Sequence, residues 1–207
     1  MNILIATTNL GKQKEYAELL ADLPWELSFP GPEEDNPDLE NGQTFRENAV
    51  SKARHYARTG KILTLADDSG LEVDALGGRP GVFSARFAGH SGPEGKDEAN
   101  NARLLRELGD LPREKRGAAF RCVICVTDPA GRLLVVEGIL RGYINFEPRG
   151  HNGFGYDPLF MIPELDRSLA ELPPGEKNRI SHRGRAVAEL KKNWPAFANQ
   201  LGIEHRA

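Results

Sequence analysis

Ile62-Leu63-Thr64-Leu65-Ala66 is a nearly unbroken apolar run, and it stops abruptly at Asp67-Asp68-Ser69-Gly70. A strand without a polar face needs cover on both sides, so this run predicts a sheet with helices packed on each of its faces. The flanking pattern agrees. Ile3 to Ala6 is a short apolar run that ends at Thr7-Thr8-Asn9, and Tyr16, Leu19, Leu20 and Leu23 follow at helical spacing. Trp25 to Phe29 alternates weakly and predicts a second strand, whereas Pro30 to Pro37 is too rich in proline and glycine for regular structure. From Thr44 onward, Phe45, Ala49, Val50, Ala53 and Ala57 recur at three and four, with Thr44 as a cap and Glu47 at the capping-box position; this helix ends near Gly60. Gly77 to Gly92 reads as a glycine-rich loop around Pro80, and Leu104, Leu105 and Leu108 mark a helix that Gly109 stops. Phe120 to Thr127 and Leu133 to Ile144 flank Asp128-Pro129-Ala130-Gly131, a hairpin pattern, and Val187, Leu190, Trp194 and Phe197 define the last helix. The expectation is a mixed α/β (α+β) fold, a central mixed β-sheet flanked by helices, in a single domain spanning 1–207.

Composition bounds the function. Over 207 residues, 39% hydrophobic and 28% charged residues predict a folded chain. A net charge of −3 gives no positive field to gather a nucleic acid polymer, so an anionic ligand would need local cations. No apolar run approaches the ~20 residues of a membrane helix, and the opening Met1 to Ala6 lacks a basic start, so the expected partners exclude a membrane and the expected location is cytoplasmic. Cys122 and Cys125 form a Cys-x-x-Cys inside a predicted strand. Side chains three apart on a strand point to opposite faces, which predicts buried free thiols.

Several segments carry charge or rings where a ligand could use them. Thr7-Thr8-Asn9-Leu10-Gly11-Lys12 joins a strand to a helix start, which offers unpaired N–H groups and a partial positive charge, with Lys12 adding a full one. The plain reading is an N-cap by Thr8 or Asn9 with a solvated lysine; the spacing is not that of a P-loop. Asp67 and Asp68 end a buried strand, where clefts of α/β sheets open, and adjacent carboxylates stay ionised only beside cations or donors. They suit a hard divalent ion with substrate phosphates, or equally a polar turn with Gly70 left-handed. Phe154-Gly155-Tyr156-Asp157-Pro158 offers aromatic faces and a carboxylate for a planar ring, or two core plugs under a glycine loop. Lys177, Arg179, His182, Arg183 and Arg185 crowd the approach to the last helix, an unfavourable place for positive charge unless a ligand or acid meets it. Phosphates with a metal, plus a planar ring, describe a nucleotide.

The same residues carry a resemblance. Thr7-x-Asn9-x-x-Lys12, Glu40-x-Gly42-x-Thr44-Phe45-x-Glu47-Asn48-Ala49-x-x-Lys52-Ala53, Ala66-Asp67-Asp68-Ser69-Gly70-Leu71, Pro80-Gly81-Val82-Phe83-Ser84-Ala85-Arg86, Gly153-Phe154-Gly155-Tyr156-Asp157-Pro158 and Ser181-His182-Arg183 stand in order along nearly the whole chain. Together they resemble the inosine triphosphate pyrophosphatase family. The resemblance implies two lobes around a nucleotide cleft, a homodimer, and Mg²⁺-dependent hydrolysis of ITP, dITP and XTP to the nucleoside monophosphate and pyrophosphate. It implies Asp68 as the base for the attacking water and as a metal ligand with Glu40. Thr7, Thr8, Asn9, Leu10, Gly11, Lys12, Lys52, Ser69 and Lys177 would hold phosphates or sugar, and Phe154, Gly155, Tyr156, Asp157, His182 and Arg183 would form the base pocket. Donors such as His182 or Arg183 would meet the 6-keto oxygen and reject the 6-amino group of ATP. The acidic Glu33, Glu34, Asp35 and Asp38 are rival metal ligands, and Asp67 is either a second ligand or a support for Asp68. A nucleotide sensor without turnover and a pyrophosphatase for modified pyrimidine or methylated nucleotides are the competing readings; the D-x-D-x-T spacing of an aspartyl-phosphate phosphatase is missing.

Overall fold

The structure, a computed structural model, describes residues 1–31, 36–89 and 95–203. Glu33, Glu34 and Asp35, and the end of the predicted Gly77 to Gly92 loop, lie outside the described residues. The described strands are β1 (Asn2–Ile5), β2 (Glu26–Ser28), β3 (Thr64–Val73), β4 (Gly117–Thr127), β5 (Leu133–Ile144), β6 (Phe160–Ile162) and β7 (Arg167–Ser168), and they form a sheet in the order β2-β1-β3-β4-β5-β6-β7. β1 runs parallel to β2 and β3, with Leu4 opposite Thr64 and Ile5 opposite Leu65, while β6 is antiparallel to β5 and β7. The helices are α1 (Leu10–Leu19), α2 (Phe45–Gly60), α3 (Lys96–Leu108), α4 (Pro174–Ile180) and α5 (His182–Leu201). This is the mixed α/β class that the apolar run at Ile62 predicts.

The chain divides into two compact units, Met1–Asp68 with Cys122–Gly138 and Arg183–Ala207, and Ser69–Arg121 with Ile139–His182. In the first, Ile3, Ile5, Leu65, Ile124 and Val126 of the strands are closed over by Tyr16 of α1, by Leu20 at its C-cap and by Val187, Leu190, Trp194 and Phe197 from α5. Trp25 meets Trp194 edge-on at 4.7 Å. In the second, Leu71, Val73, Phe120, Leu140 and Ile144 pack with Leu104, Leu108, Tyr156, Phe160 and Leu169.

Local chemistry explains the element ends. Asn9 caps α1, its side chain accepting from the Lys12 N–H at 3.0 Å. Thr44 and Glu47 close a capping box on α2, with Glu47 N–H donating to Thr44 Oγ1 at 3.1 Å and Thr44 N–H to Glu47 Oε2 at 3.2 Å. Cys122 and Cys125 are buried free thiols on β4, and burial pushes the Cys125 thiol up to about 12.

Two expectations change. β3 does not stop at Ala66: it continues through Asp67, Asp68, Ser69 and Gly70 to Val73, so the turn with a left-handed Gly70 is absent. The strand tolerates the two acids because each carboxylate finds donors on neighbouring elements, described below. The basic stretch before the last helix is itself helical: Lys177 and Arg179 lie on α4, Ser181 separates the helices, and His182, Arg183 and Arg185 open α5.

Candidate active site

In the first unit the site grows from the β1–α1 loop, the start of α2 and the middle of β3. Thr7 Oγ1 accepts from Asn9 N–H at 3.3 Å and Gln13 Nε2 donates to the Thr7 carbonyl at 2.9 Å, which fixes the loop carrying Thr8 against the start of α1, where Leu10 and Gly11 lie. Leu10 projects into solvent, 72% exposed. From the first turn of α1 Lys12 sends its ammonium to Asp67, Nζ to Oδ2 3.0 Å. Lys52 lies on the buried stripe of α2 and donates to Glu40 Oε1 at 2.5 Å. Glu40 ends the 3₁₀ turn Pro37–Glu40 just before the cap of α2. Asp38, the rival acid among the described residues, lies in that turn and its N–H is bound by the Asn36 side chain.

Asp68 is buried and held by a residue absent from the expected set. Asn48 Nδ2 donates to Asp68 Oδ2 at 2.8 Å, and Asn48 Oδ1 accepts from Gly42 N–H at 2.7 Å. A Cβ on Gly42 would lie 2.6 Å from that oxygen, so the segment after Glu40 needs glycine there. The sequence does contain the signal: Asn48 and Lys52 are polar residues four apart on the stripe that also carries Phe45, Ala49 and Ala53, and both are buried.

Electrostatics separates the two aspartates. Burial raises the Asp68 carboxyl above its ordinary range, outweighing the pull of Lys52, Lys12 and the Asn48 bond, and Glu40 adds to the rise. Asp67 is buried more deeply, yet Lys12, Arg183 and Lys52 together hold its carboxyl well below that range. Glu40 is likewise held low, because Lys52 and Lys12 overcome its burial, and the same acids raise Lys52.

Arg183 completes this unit. It is 1% exposed, with Nη1 bonded to Glu15 Oε2 and Nη2 to Asp67 Oδ2 at 3.2 Å. Both terminal nitrogens are thus bonded to carboxylates. These acids also explain why α5 tolerates a cation in its first turn. Glu15 carries no signal in the sequence beyond its place before Tyr16.

In the second unit Asp157 and Lys177 form a buried ion pair, Nζ to Oδ2 2.5 Å, and Asp157 Oδ2 also accepts from Phe154 N–H at 3.0 Å. The Lys177 ammonium sits 5.0 Å from the centre of the Phe154 ring. Gly153, at φ 79°, has no room for a side chain: a Cβ would fall 2.0 Å from Asp157 Oδ2. Gly155 is bracketed by Asp97, which accepts its N–H at 2.6 Å, and by Asn101, which donates to its carbonyl at 3.0 Å. His182 stacks on Phe120 with ring centres 4.7 Å apart. Ser69 is half-buried on β3. Tyr156 is 4% exposed within the core, and its hydroxyl donates to the Ser84 carbonyl at 2.9 Å, so it braces the loop. Phe154, half-buried, is the aromatic of this loop that keeps exposed surface.

The first unit's donor set fits a divalent cation. Glu40 and Asp68 share the neighbourhood of Lys52 and Lys12. Among the described residues no three metal-binding side chains are grouped; one or two carboxylates with substrate phosphates are a usual shell for a hard divalent ion.

The chain is 51% identical to a dITP/XTP pyrophosphatase of Geobacillus kaustophilus, over 97% of each chain, and 50% identical to one of Geobacter sulfurreducens, over 91% of this chain and 94% of that one. Its fold is similar to that of a HAM1 protein from Coxiella burnetii, with TM-score 0.81 and 40% identity over 95% of this chain and 99% of that one. The Mycobacterium abscessus structure described as a nucleoside-triphosphatase and dITP/XTP pyrophosphatase matches with TM-score 0.71 and 44% identity, over 92% and 97%. A family model matches residues 3–193, from β1 through most of α5, and the chain belongs to the Ham1 family.

Proposed function

We propose that this chain hydrolyses ITP, dITP and XTP to the nucleoside monophosphate and pyrophosphate with Mg²⁺, removing deaminated purines from the nucleotide pool. The observation that carries the proposal is Asp68, a buried carboxylate with a raised pKa, fixed by Asn48 and set among Lys12, Lys52 and Glu40. Relatives about half identical in sequence bear the name dITP/XTP pyrophosphatase, which supports the substrate class.

Triphosphate charge repels a nucleophile, and positioning with electrostatics supplies most of the catalysis of phosphoryl chemistry. Lys12, Lys52 and the N–H groups at the start of α1 offset that charge. Asp68 orients a water and takes its proton as the water oxygen bonds to phosphorus and the α–β anhydride oxygen leaves with pyrophosphate. A carboxylate with a raised pKa is a stronger base than an ordinary one. Glu40 and Asp68 would hold the Mg²⁺, which supplies further charge neutralisation on the phosphates. In the second unit, Phe154 and His182 are suited to the base, with Asp157 and Lys177 fixing Phe154. A histidine donor to the 6-keto oxygen faces a repelled amino group in ATP, and such mismatches discriminate by factors of about 10⁴.

The chain acts as one domain, as a homodimer and in the cytoplasm in this proposal; sedimentation giving a monomer at micromolar concentration removes the dimer. Among the described residues no helix is long and apolar enough to cross a membrane. The test of the activity is kcat/KM across ITP, XTP, ATP, dUTP and dTTP, with Asp68→Asn alongside. ITP and XTP should lead by orders of magnitude and the variant should be inactive. Preference for the pyrimidines, or binding of ITP without turnover, overturns the proposal.

A further inference from the structure

We infer that Asp67 is a positioning residue that fixes Lys12 for the reaction, and is not a metal ligand; this rests on the hydrolytic reading above. One oxygen of Asp67, Oδ2, receives Lys12 Nζ at 3.0 Å, Arg183 Nη2 at 3.2 Å and the Cys122 thiol at 3.7 Å. These donors come from the starts of α1 and α5 and from β4, so a single atom on β3 ties three elements of the first unit together. The side chain is 1% exposed.

Its necessity follows from where the cations sit. Lys12 is in the first turn of α1 and Arg183 in the first turn of α5, where the helix dipole disfavours positive charge. Left to themselves, both side chains would turn toward solvent. The buried carboxylate of Asp67 holds them inward, and Glu15 shares the load on Arg183. Because Asp67 precedes Asp68 on the same strand, the clamp keeps the Lys12 ammonium at a fixed place relative to the residue that activates water. Glu40 accepts from Lys52 at 2.5 Å and Asp68 from Asn48 at 2.8 Å.

A double-mutant cycle separates this role from a merely structural one. Asp67→Asn should lower kcat by about 30-fold with KM within about threefold, whereas on a Lys12→Met background the same change should cost less than about threefold, because contacting residues couple and independent ones do not. The Mg²⁺ concentration for half activation should stay within about threefold in Asp67→Asn, since a residue outside the coordination shell leaves it unchanged. Losses that multiply in the double variant overturn the role, and so does a tenfold rise in the Mg²⁺ requirement. Wild-type protein provides an arm that needs no Asp67 variant to fold: the Lys12 ammonium, assigned by its loss in Lys12→Met, should give a slowly exchanging ¹H–¹⁵N signal without ligand. An ammonium that exchanges like a surface lysine overturns the clamp. A wild-type enzyme that turns over no ITP defeats the hydrolytic reading itself, whereas additive losses in an active enzyme defeat only this role.

Discussion

Asn48 offers the most informative perturbation, because it is 1% exposed and makes one bond to the base and one to the loop that follows Glu40. In Asn48→Ala, the bond to Asp68, a charge-assisted one at 2.8 Å, is lost, and the Gly42 N–H loses its acceptor. Bonds to charged groups contribute about 1.5–3 kcal/mol and neutral ones about 1 kcal/mol, so stability should fall by about 2–4 kcal/mol. Asn48→Asp has nearly the same shape and keeps an oxygen for Gly42, but replaces the donor to Asp68 with a like charge. Asn48→Asp should therefore keep more of the stability than Asn48→Ala while losing at least as much kcat, of the order of 10- to 100-fold for about 1.4–2.8 kcal/mol in the transition state. Urea unfolding gives the first quantity and steady-state pyrophosphate release the second. Retention of wild-type kcat by either variant refutes the claim that Asn48 orients Asp68.

Other consequences are as direct. Lys177→Met leaves the Asp157 carboxylate buried without its cation and should destabilise by about 3–5 kcal/mol; adding Asp157→Asn should recover more than half of that in chemical denaturation, and a double variant no more stable than the single one contradicts the pair's role. In metal-free protein, ¹³C titration should place Asp68 above the ordinary aspartate value, and Lys52→Met should push it higher still, because Lys52 pulls it down. A group whose folded pKa is raised loses its contribution to stability as pH rises through that value, so Asp68 ionisation should cost stability on going from acid toward neutrality, and Asp68→Asn should flatten that part of the curve. An Asp68 titration at or below the ordinary value counts against the assignment.

How much of this was legible in the sequence varies by element. The apolar run at Ile62, the Thr44–Glu47 box and the Asp128–Gly131 hairpin turn are local signals: α2 starts at the box, β4 and β5 flank the turn, and β3 begins within the run, at Thr64. The reach of β3 past Ala66 was not legible, because two aspartates in a strand are tolerable only through partners on α1, α2 and α5, far away in sequence. The carboxylate partners of Arg183, Glu15 and Asp67, were not legible for the same reason: folding brings them to it. Tyr156 shares its motif with Phe154, and only the packing around Leu71 and the Ser84 carbonyl tells the core ring from the accessible one. The short strands β6 and β7 and the seven residues of α4 leave too little periodicity to read. Asn48, by contrast, could have been found, as a polar residue on the apolar stripe of α2 one turn before Lys52.

The central claim is that Asp68 activates water to split the α–β anhydride of a deaminated purine triphosphate. Phosphorus-31 NMR of wild-type protein with Mg²⁺ and ITP tests it most directly. The account predicts that inosine monophosphate and pyrophosphate appear in equal amounts, with neither in Asp68→Asn. Orthophosphate with inosine diphosphate, or equal turnover by the variant, would contradict it.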